Sequence, residues 1–486
     1  MSRIALCALV AIVGLASCAR PTPEQEIVNA AAAAMGGAAK IQSVRTLTLE
    51  GEGTNFNLGQ DMVPGASGQT FTVAGYKRLL DIPGGRSRQE QTRTPNFAFF
   101  QGMQPQKQVQ GVDGDVAYNV AANGNATRAS NAVARDRRTE FYHHPLTIVR
   151  FALDPAAKLS NVQSVGSERV VDVALPNGVA ATLAIDGAGL PTRVSSTSYN
   201  ANLGDVVITT SLADYQDFGG LKLPTKITTK TDDFTTAEIR ATKQTIDGDA
   251  GDLAAPAAAA SAAPAVGPPP VNVAVEPVGP GVWFLAGQSH HSVLVEFSDH
   301  LMLIEAPQNE ARTLAVIAKA RELKPDKPLT QLVTTHHHFD HTGGLRAAIS
   351  EGLAVITHSG NKAFVETMSK RAHTIQPDAL SKNAKQVTVV AVDGEMEVKD
   401  ATMTVNLYHV AGNPHSDTML MAYIPKERVL VQVDAFSPGS AVQPYAANLL
   451  ENITKRKLRV DRIVPLHGTI VPFNELVKTM TAMKSD

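Results

Sequence analysis

Between Asp249 and Pro270 the chain reads DAGDLAAPAAAASAAPAVGPPP, and no long helix or strand can run through it. Alanine and proline dominate and hydrophobic periodicity is lost. The closely spaced prolines remove backbone donors and impose extended chain at the far end. With 486 residues the polypeptide is too long for one ordinary core, and this stretch marks where it divides. Four segments follow: an export signal over residues 1–17, a first domain over 23–248, a linker over 249–270 and a second domain over 271–486. An apolar content of 43% with 19% charged residues is that of a folded protein, not of a disordered one. Forty-four basic residues against 46 acidic ones include no run able to neutralise many phosphates, so nucleic acid is not the expected partner.

The chain starts MSRIALCALVAIVGLASCAR. A single early cation, Arg3, precedes an apolar run from Ile4 to Leu15 that is too short to span a bilayer and has the form of a secretory signal. Its end, Leu15-Ala16-Ser17-Cys18, resembles the bacterial lipobox, which implies lipidation of Cys18 as the mature N-terminus. Cys7 would leave with the signal, so the mature chain has neither a disulfide nor a thiolate for metal. Ala19 after the cysteine implies retention in the outer membrane, facing the periplasm, where several acyl chains give a stable anchor.

Upstream of the linker, Pro23–Ala39 is expected to be helical, and FYHHPLTIVRFAL from Phe141 is the main further helix candidate. The rest alternates as strands do, in RTLTLEGEG from Arg45, RVVDVALPNGVAATLAID from Arg169 and LKLPTKITTKT from Leu221, separated by Gly, Asn and Asp turns. The expected architecture is a mainly antiparallel sheet curved around a helix. It resembles the half-barrel domains of bacterial lipoprotein carriers. His143 and His144 sit side by side without a motif and are read as structural or exposed.

Downstream, strands alternate with helices. VWFLAG, SVLVEFS and LMLIEAP precede a helix over Ala311–Leu323, a buried strand over Leu329–Thr335 and a helix from Thr342. LAVITH, VTVVAV, TMTVNLYHV, TMLMAYIP, RVLVQVDAF and RIVPLHG follow, then a helix from Phe473. Meander and crossover units together predict an α/β fold with two sheets between helices. Twelve of the 14 histidines fall in this half, which makes it the expected seat of chemistry.

Four of those histidines lie in TTHHHFDHTGG, Thr334 to Gly344. The stretch follows a strand and precedes a helix, a place where rigid scaffolds present ligands. Residues two apart in extended chain face the same way, so His336 and His338 suit one ion while His337 points elsewhere. Asp340 and His341, past the bend, suit a second. The spacing H-x-H-x-D-H resembles the signature of the metallo-β-lactamase superfamily. Three more elements occur in that family's order: His415 in AGNPHSDTM, Asp434 in VLVQVDAF and His467 in IVPLHG.

The resemblance covers Val271 to Asp486. It implies an αββα sandwich with one ion on His336, His338 and His415, a second on Asp340, His341 and His467, and the Asp434 carboxylate shared. A nitrogen and oxygen donor set without thiolate suits zinc and admits iron or manganese. Two such ions activate a bridging water for attack on an acyl carbon, with Asp340 orienting the nucleophile and passing a proton to the leaving group. Glu305 in LIEAP stands where the family usually has aspartate, in support of the metal loops. His290, His291 and Tyr445 are candidate substrate contacts; His337 is read as loop packing, and His358, His373 and His409 as structural.

The implied reaction is hydrolysis of a carboxylic ester, lactone, thioester or amide in a small molecule, with β-lactams one candidate. The histidine at 338 argues against flavo-diiron chemistry. A bridging aspartate at 434 is unusual for dedicated β-lactamases, and Ser416-Asp417 replaces the common Thr-Pro-Gly beside the pocket. The alternative is a lipid- or lipoprotein-binding envelope protein in which the metal domain is accessory.

Overall fold

A computed structural model describes residues 20–98, 102–267 and 271–482. Cys18 and the export signal lie outside the described residues. The first half is built on one 13-stranded sheet, antiparallel throughout. Two meanders make it, one from Thr46–Phe56 to Ala126–Arg128 and the other from Leu159–Val165 to Phe234–Ile246. They join where Thr46–Phe56 pairs with Phe234–Ile246, so the first and last strands of the domain lie side by side at its middle.

The predicted N-terminal helix is two helices, Pro23–Met35 and Ala38–Ser43. Thr22 and Gln25 form a capping box at the start, while Gly36 and Gly37, at φ of 122° and 106°, break the run. The helix expected from Phe141 is also divided. One helix, Asn131–Phe141, ends there, and the next, Pro145–Ala152, starts with proline at its first turn and His144 as its cap. Ile27, Ala31 and Met35 pack with Leu146, Val149, Leu47, Val171, Leu183 and Leu221 in one buried cluster. His143 and His144 are both buried. The ring nitrogens of His143 bond the hydroxyls of Thr210 (2.9 Å) and Ser196 (2.8 Å), and His144 Nδ1 accepts from Leu146 N–H. Burial lowers both to about 3.

The alanine–proline stretch is not free chain over its first part. Ala257–Ser261 is a short helix with Ala259 buried, and Arg128, on the edge strand Ala126–Arg128, donates to the carbonyl of Ala262. The segment thus covers the open edge of the large sheet, which would otherwise offer unpaired backbone groups.

The second half holds a seven-stranded sheet, from Ala274–Gly279 to Val389–Val392, and a six-stranded one, from Glu395–Lys399 to Val471–Pro472. Between them lies a continuous apolar layer including Val282, Phe284, Val293, Val333, Leu407, Met421, Val431 and Val464. Helices Glu310–Leu323, Leu345–Ser350 and Lys362–Lys370 cover the other face of the first sheet through Val316, Ile317, Ile349 and Val365. Ala446–Lys455 and Phe473–Ala482 add Leu449, Ile453 and Leu476 to the inner cluster. Leu301–Ile304, Leu329–Val333 and Ala354–His358 run parallel, as do Val429–Gln432 and Arg462–Pro465. The chain therefore leaves several strands at one common end.

Candidate metal centre

Every side chain of the site comes from a loop at that end. His336–His338 follow Leu329–Val333, and Asp340 and His341 sit in the short helix Phe339–Thr342. His415 lies before Leu420–Ile424, Asp434 just after Val429–Gln432, and His467 just after Arg462–Pro465. Gly343 makes this tight turn possible, because a Cβ there would strike the carbonyl of Gln308.

These residues converge in two groups, and within each the ligand atoms lie within 4.8 Å of one another: His336, His338, His415 and Asp434, and His290, Asp340, His341 and His467. The Asp434 carboxylate touches both. Its Oδ2 is 2.8 Å from His415 Nε2, 3.2 Å from His341 Nε2 and 3.3 Å from His336 Nε2, while Oδ1 is 2.9 Å from His467 Nε2.

The outer nitrogens of these rings show which inner ones carry lone pairs. His341 Nδ1–H donates to Glu305 Oε2 (2.9 Å), His467 Nδ1–H to the carbonyl of Ser289 (2.9 Å), and His338 Nε2–H to the carbonyl of Asp61 (2.9 Å). An acceptor on one side fixes the proton there, so the opposite nitrogen presents its lone pair to the cluster. His338 Nδ1 is buried with no hydrogen-bond partner, and the buried Nε2 atoms of His336 and His415 face the Asp434 carboxylate alone. Imidazole nitrogens stripped of water and crowded around one carboxylate are costly unless something binds them, and a divalent cation fits.

Electrostatics agree with this donor set. Burial, with the charge on His341, lowers His336 to about 3, and burial holds His338 well below the usual imidazole range. Burial would raise Asp434, but His341, His467 and His415 outweigh it and keep the carboxyl well below its ordinary value. Asp340 is likewise lowered, with His341 and His290 overcoming burial. For His341 burial opposes protonation, yet Asp434, Asp340 and Glu305 hold it well above the ordinary value. A cation arriving there would replace a proton.

Glu305 is fully buried and spans two loops, accepting Thr335 N–H at Oε1 (2.7 Å) and His341 Nδ1–H at Oε2. His337 turns away to Thr418 Oγ1 (3.3 Å).

The candidate substrate contacts separate. His290 belongs with the second group, its Nε2 3.2 Å from Asp340 Oδ2 and its ring centroid 4.1 Å from that of His467. His291 is a correction: it is buried, accepts Gly287 N–H at Nδ1 and packs edge-on to Phe284, so it faces the core rather than a substrate. Tyr445 does line the cavity, but its hydroxyl donates to the carbonyl of Ala98, so that proton is already committed. Of the remaining histidines, His373 bonds Tyr199 of the first half, and His409 bonds the carbonyl of Asp417.

A cavity of about 550 Å³ opens onto Asp340, His415, Asp434 and His467. One wall is Ser437–Ser440, Tyr445 and Gly468. The facing wall comes from the first half of the chain, as Asn57, Gln60, Gln69 and Phe97. No motif in the sequence marked those four residues.

The Metallo-beta-lactamase superfamily model matches residues 286–468. The chain is 19% identical to a metallo-beta-lactamase type 2 of Bacillus cereus over 232 residues, covering 44% of this chain and 83% of that protein. Against a metallo-beta-lactamase type 2 of Bacillus sp. (strain 170) it is 22% identical over 203 residues, covering 40% and 72%. Among solved structures, a metallo-beta-lactamase from Pontibacter korlensis is 16% identical with a TM-score of 0.35, covering 44% of this chain and all of that one. The stretch that matches this superfamily model, residues 286–468, contains both groups of candidate metal ligands.

Proposed function

We propose that the protein is a dinuclear metal-dependent hydrolase that cleaves a carboxylic ester, lactone, thioester or amide bond, a β-lactam among the candidates. The observation that carries this is the position of Asp434, whose two oxygens reach four histidines drawn from both groups. His336, His338 and His415 would hold one divalent ion, and Asp340, His341 and His467 the other, with Asp434 between. Bound there, two such ions, zinc on this donor set with iron or manganese admitted, supply Lewis acidity to an attacking water and to the acyl oxygen.

The chain's own residues do the rest. Glu305, Ser289 and Asp61 hold the imidazoles in the tautomers that face inward. Asp340 sits on the cavity wall with Oδ1 accepting from Gln60 Nε2 (2.8 Å) and Oδ2 beside His290, placed to take a proton from the nucleophile and return it to the leaving group. The cavity accepts a small acyl compound between the serine-rich loop and the carboxamides of Asn57, Gln60 and Gln69. Lipidation at Cys18 would tether the enzyme to the outer membrane on its periplasmic side, where small-molecule substrates diffuse to it.

The lipid-carrier alternative is not favoured by the first half. The cavity of about 420 Å³ beside its sheet sets Val133, Ile208, Ile227 and Ile239 among Arg78, Asp136, Arg137 and Glu140, and an acyl chain there would strip water from those charged groups. The test is metal analysis of purified protein together with hydrolysis of an ester, lactone, thioester and β-lactam panel, for wild type and His336→Ala. Loss of both bound metal and turnover is expected; retention of both defeats the proposal.

A further inference from the structure

Four consecutive residues of the first half lie against the metal-binding loops of the second. The loop between Thr46–Phe56 and Thr70–Asp81 puts the carbonyl of Gly59 on Phe339 N–H (3.1 Å), Gln60 Nε2–H on Asp340 Oδ1 (2.8 Å), the carbonyl of Asp61 on His338 Nε2–H (2.9 Å) and the carbonyl of Met62 on Asp417 N–H (2.9 Å). The partners are two candidate ligands, the residue between them, and a residue two past His415. At Gly59 the fit is close: φ is +79°, and a Cβ would come within 2.6 Å of three atoms of the Phe339 ring. From a second loop of the same domain, Asn202 Nδ2 donates to the carbonyl of Phe339 (3.0 Å) and reaches Thr342 Oγ1 (3.3 Å).

We propose that the first domain is a working part of the metal centre, with Gln60 the positioning residue for Asp340 and the Gly59–Met62 segment the clamp that presents His338 and Asp340 to their ions. This rests on the hydrolase reading above. Asp340 is the most solvent-accessible carboxylate of the site, its side chain 40% exposed against 6% for Asp434. Without a donor on Oδ1 its carboxylate is held through Oδ2 alone. The Gln60 carboxamide holds one oxygen and leaves Oδ2 directed toward His341 and His290. The carbonyl of Asp61 places the His338 proton on Nε2, so Nδ1 is the donor atom. Among the described residues of the second domain, His290 bonds Asp340 at Oδ2, but none bonds Oδ1 or accepts from His338 Nε2. The fusion of the two domains is then a requirement of the site and not only a tether.

The test uses the full chain, stripped of metal and titrated with Zn²⁺ against a chromophoric chelator, with Co²⁺ absorption as a second readout. Outer partners of metal ligands typically set affinity by about 10–100-fold. For Gln60→Ala the weaker of two binding steps is expected to loosen at least about tenfold and the Co²⁺ spectrum to change, with the melting temperature of the metal-free protein unmoved. Gly59→Val, which lifts the whole segment, is expected to loosen both steps. Should either variant unfold, the metal-free melt shows it, and the other decides. Unchanged binding steps and a superimposable spectrum in folded Gln60→Ala protein overturn the proposal. A wild-type protein that takes up fewer than two ions defeats the hydrolase reading itself.

Discussion

Glu305 gives the sharpest single test of how the site is held. Its carboxylate is fully buried and its two oxygens serve two partners, Thr335 N–H at 2.7 Å and His341 Nδ1–H at 2.9 Å. Hydrogen bonds to a charged group contribute about 1.5–3 kcal/mol each, and a buried donor left unpaired costs about 1–3 kcal/mol. Glu305→Gln keeps the volume and one acceptor but turns an amide N–H toward the other donor. The expected loss is therefore one charged bond, about 1.5–3 kcal/mol of stability. It falls on the tautomer and orientation of His341, so affinity at the second ion site should drop by about 10–100-fold. Glu305→Ala loses both bonds, about 3–6 kcal/mol, and the cavity it opens adds to that loss. Glu305→Asp is one methylene shorter and, if it cannot span both partners, should fall between wild type and Gln. The assay is chelator competition for metal affinity with chemical denaturation of the metal-free protein for stability. If Glu305→Gln binds its second ion within twofold of wild type, Glu305 does not orient His341 and the reasoning fails.

Other expectations follow from the same geometry. Asp434→Ala removes the one group common to both clusters, so bound metal should fall below two ions per chain and hydrolysis by about 100-fold or more; elemental analysis with initial rates checks it. Arg371 ties the halves together, donating through Nη2 to Asp232 Oδ2 (2.6 Å) and the carbonyl of Asp205 (3.0 Å) and through Nε to the carbonyl of Leu203. Arg371→Ala should weaken docking by about 1.5–3 kcal/mol, seen as faster hydrogen exchange over 203–205 and a broadened or divided melt. His143 and His144 stay neutral in the fold, near 3, but protonate near 6.5 when unfolded. The unfolded state then binds more protons, so stability is full above about pH 6.5 and falls as pH drops toward 3, by up to about 1.4 kcal/mol per unit for each. His143→Gln should flatten that slope in acid titrations followed by circular dichroism. Chelation should lower the melting temperature, since ion at a hundred times its Kd stabilises by about 2.7 kcal/mol; an unmoved melt argues against a bound ion in the purified protein.

The sequence by itself determined what local order can encode. Alternation with period two wrote the strands, and apolar runs bounded by Gly and Pro located the buried ones. Of the seven positions from His336 to His467, the spacing within TTHHHFDHTGG singled out the first four, while His415, Asp434 and His467 were named through the order of the family they resemble. Local order also misled where one residue decides the boundary, as when Pro145 and its cap His144 began a new helix where a continuous one was expected from Phe141. Only the tertiary structure decided which nitrogen of each ring faces inward, that His290 joins the second cluster while His291 turns to the core, and that Tyr445 has already given its proton to Ala98. It also decided that Gln60 and Asp61 reach Asp340 and His338 across 280 and 277 residues of chain. The physical reason is that a carboxamide or a main-chain carbonyl is chemically ordinary anywhere in a sequence. Only its position, fixed by the packing of two domains, turns it into part of a metal centre.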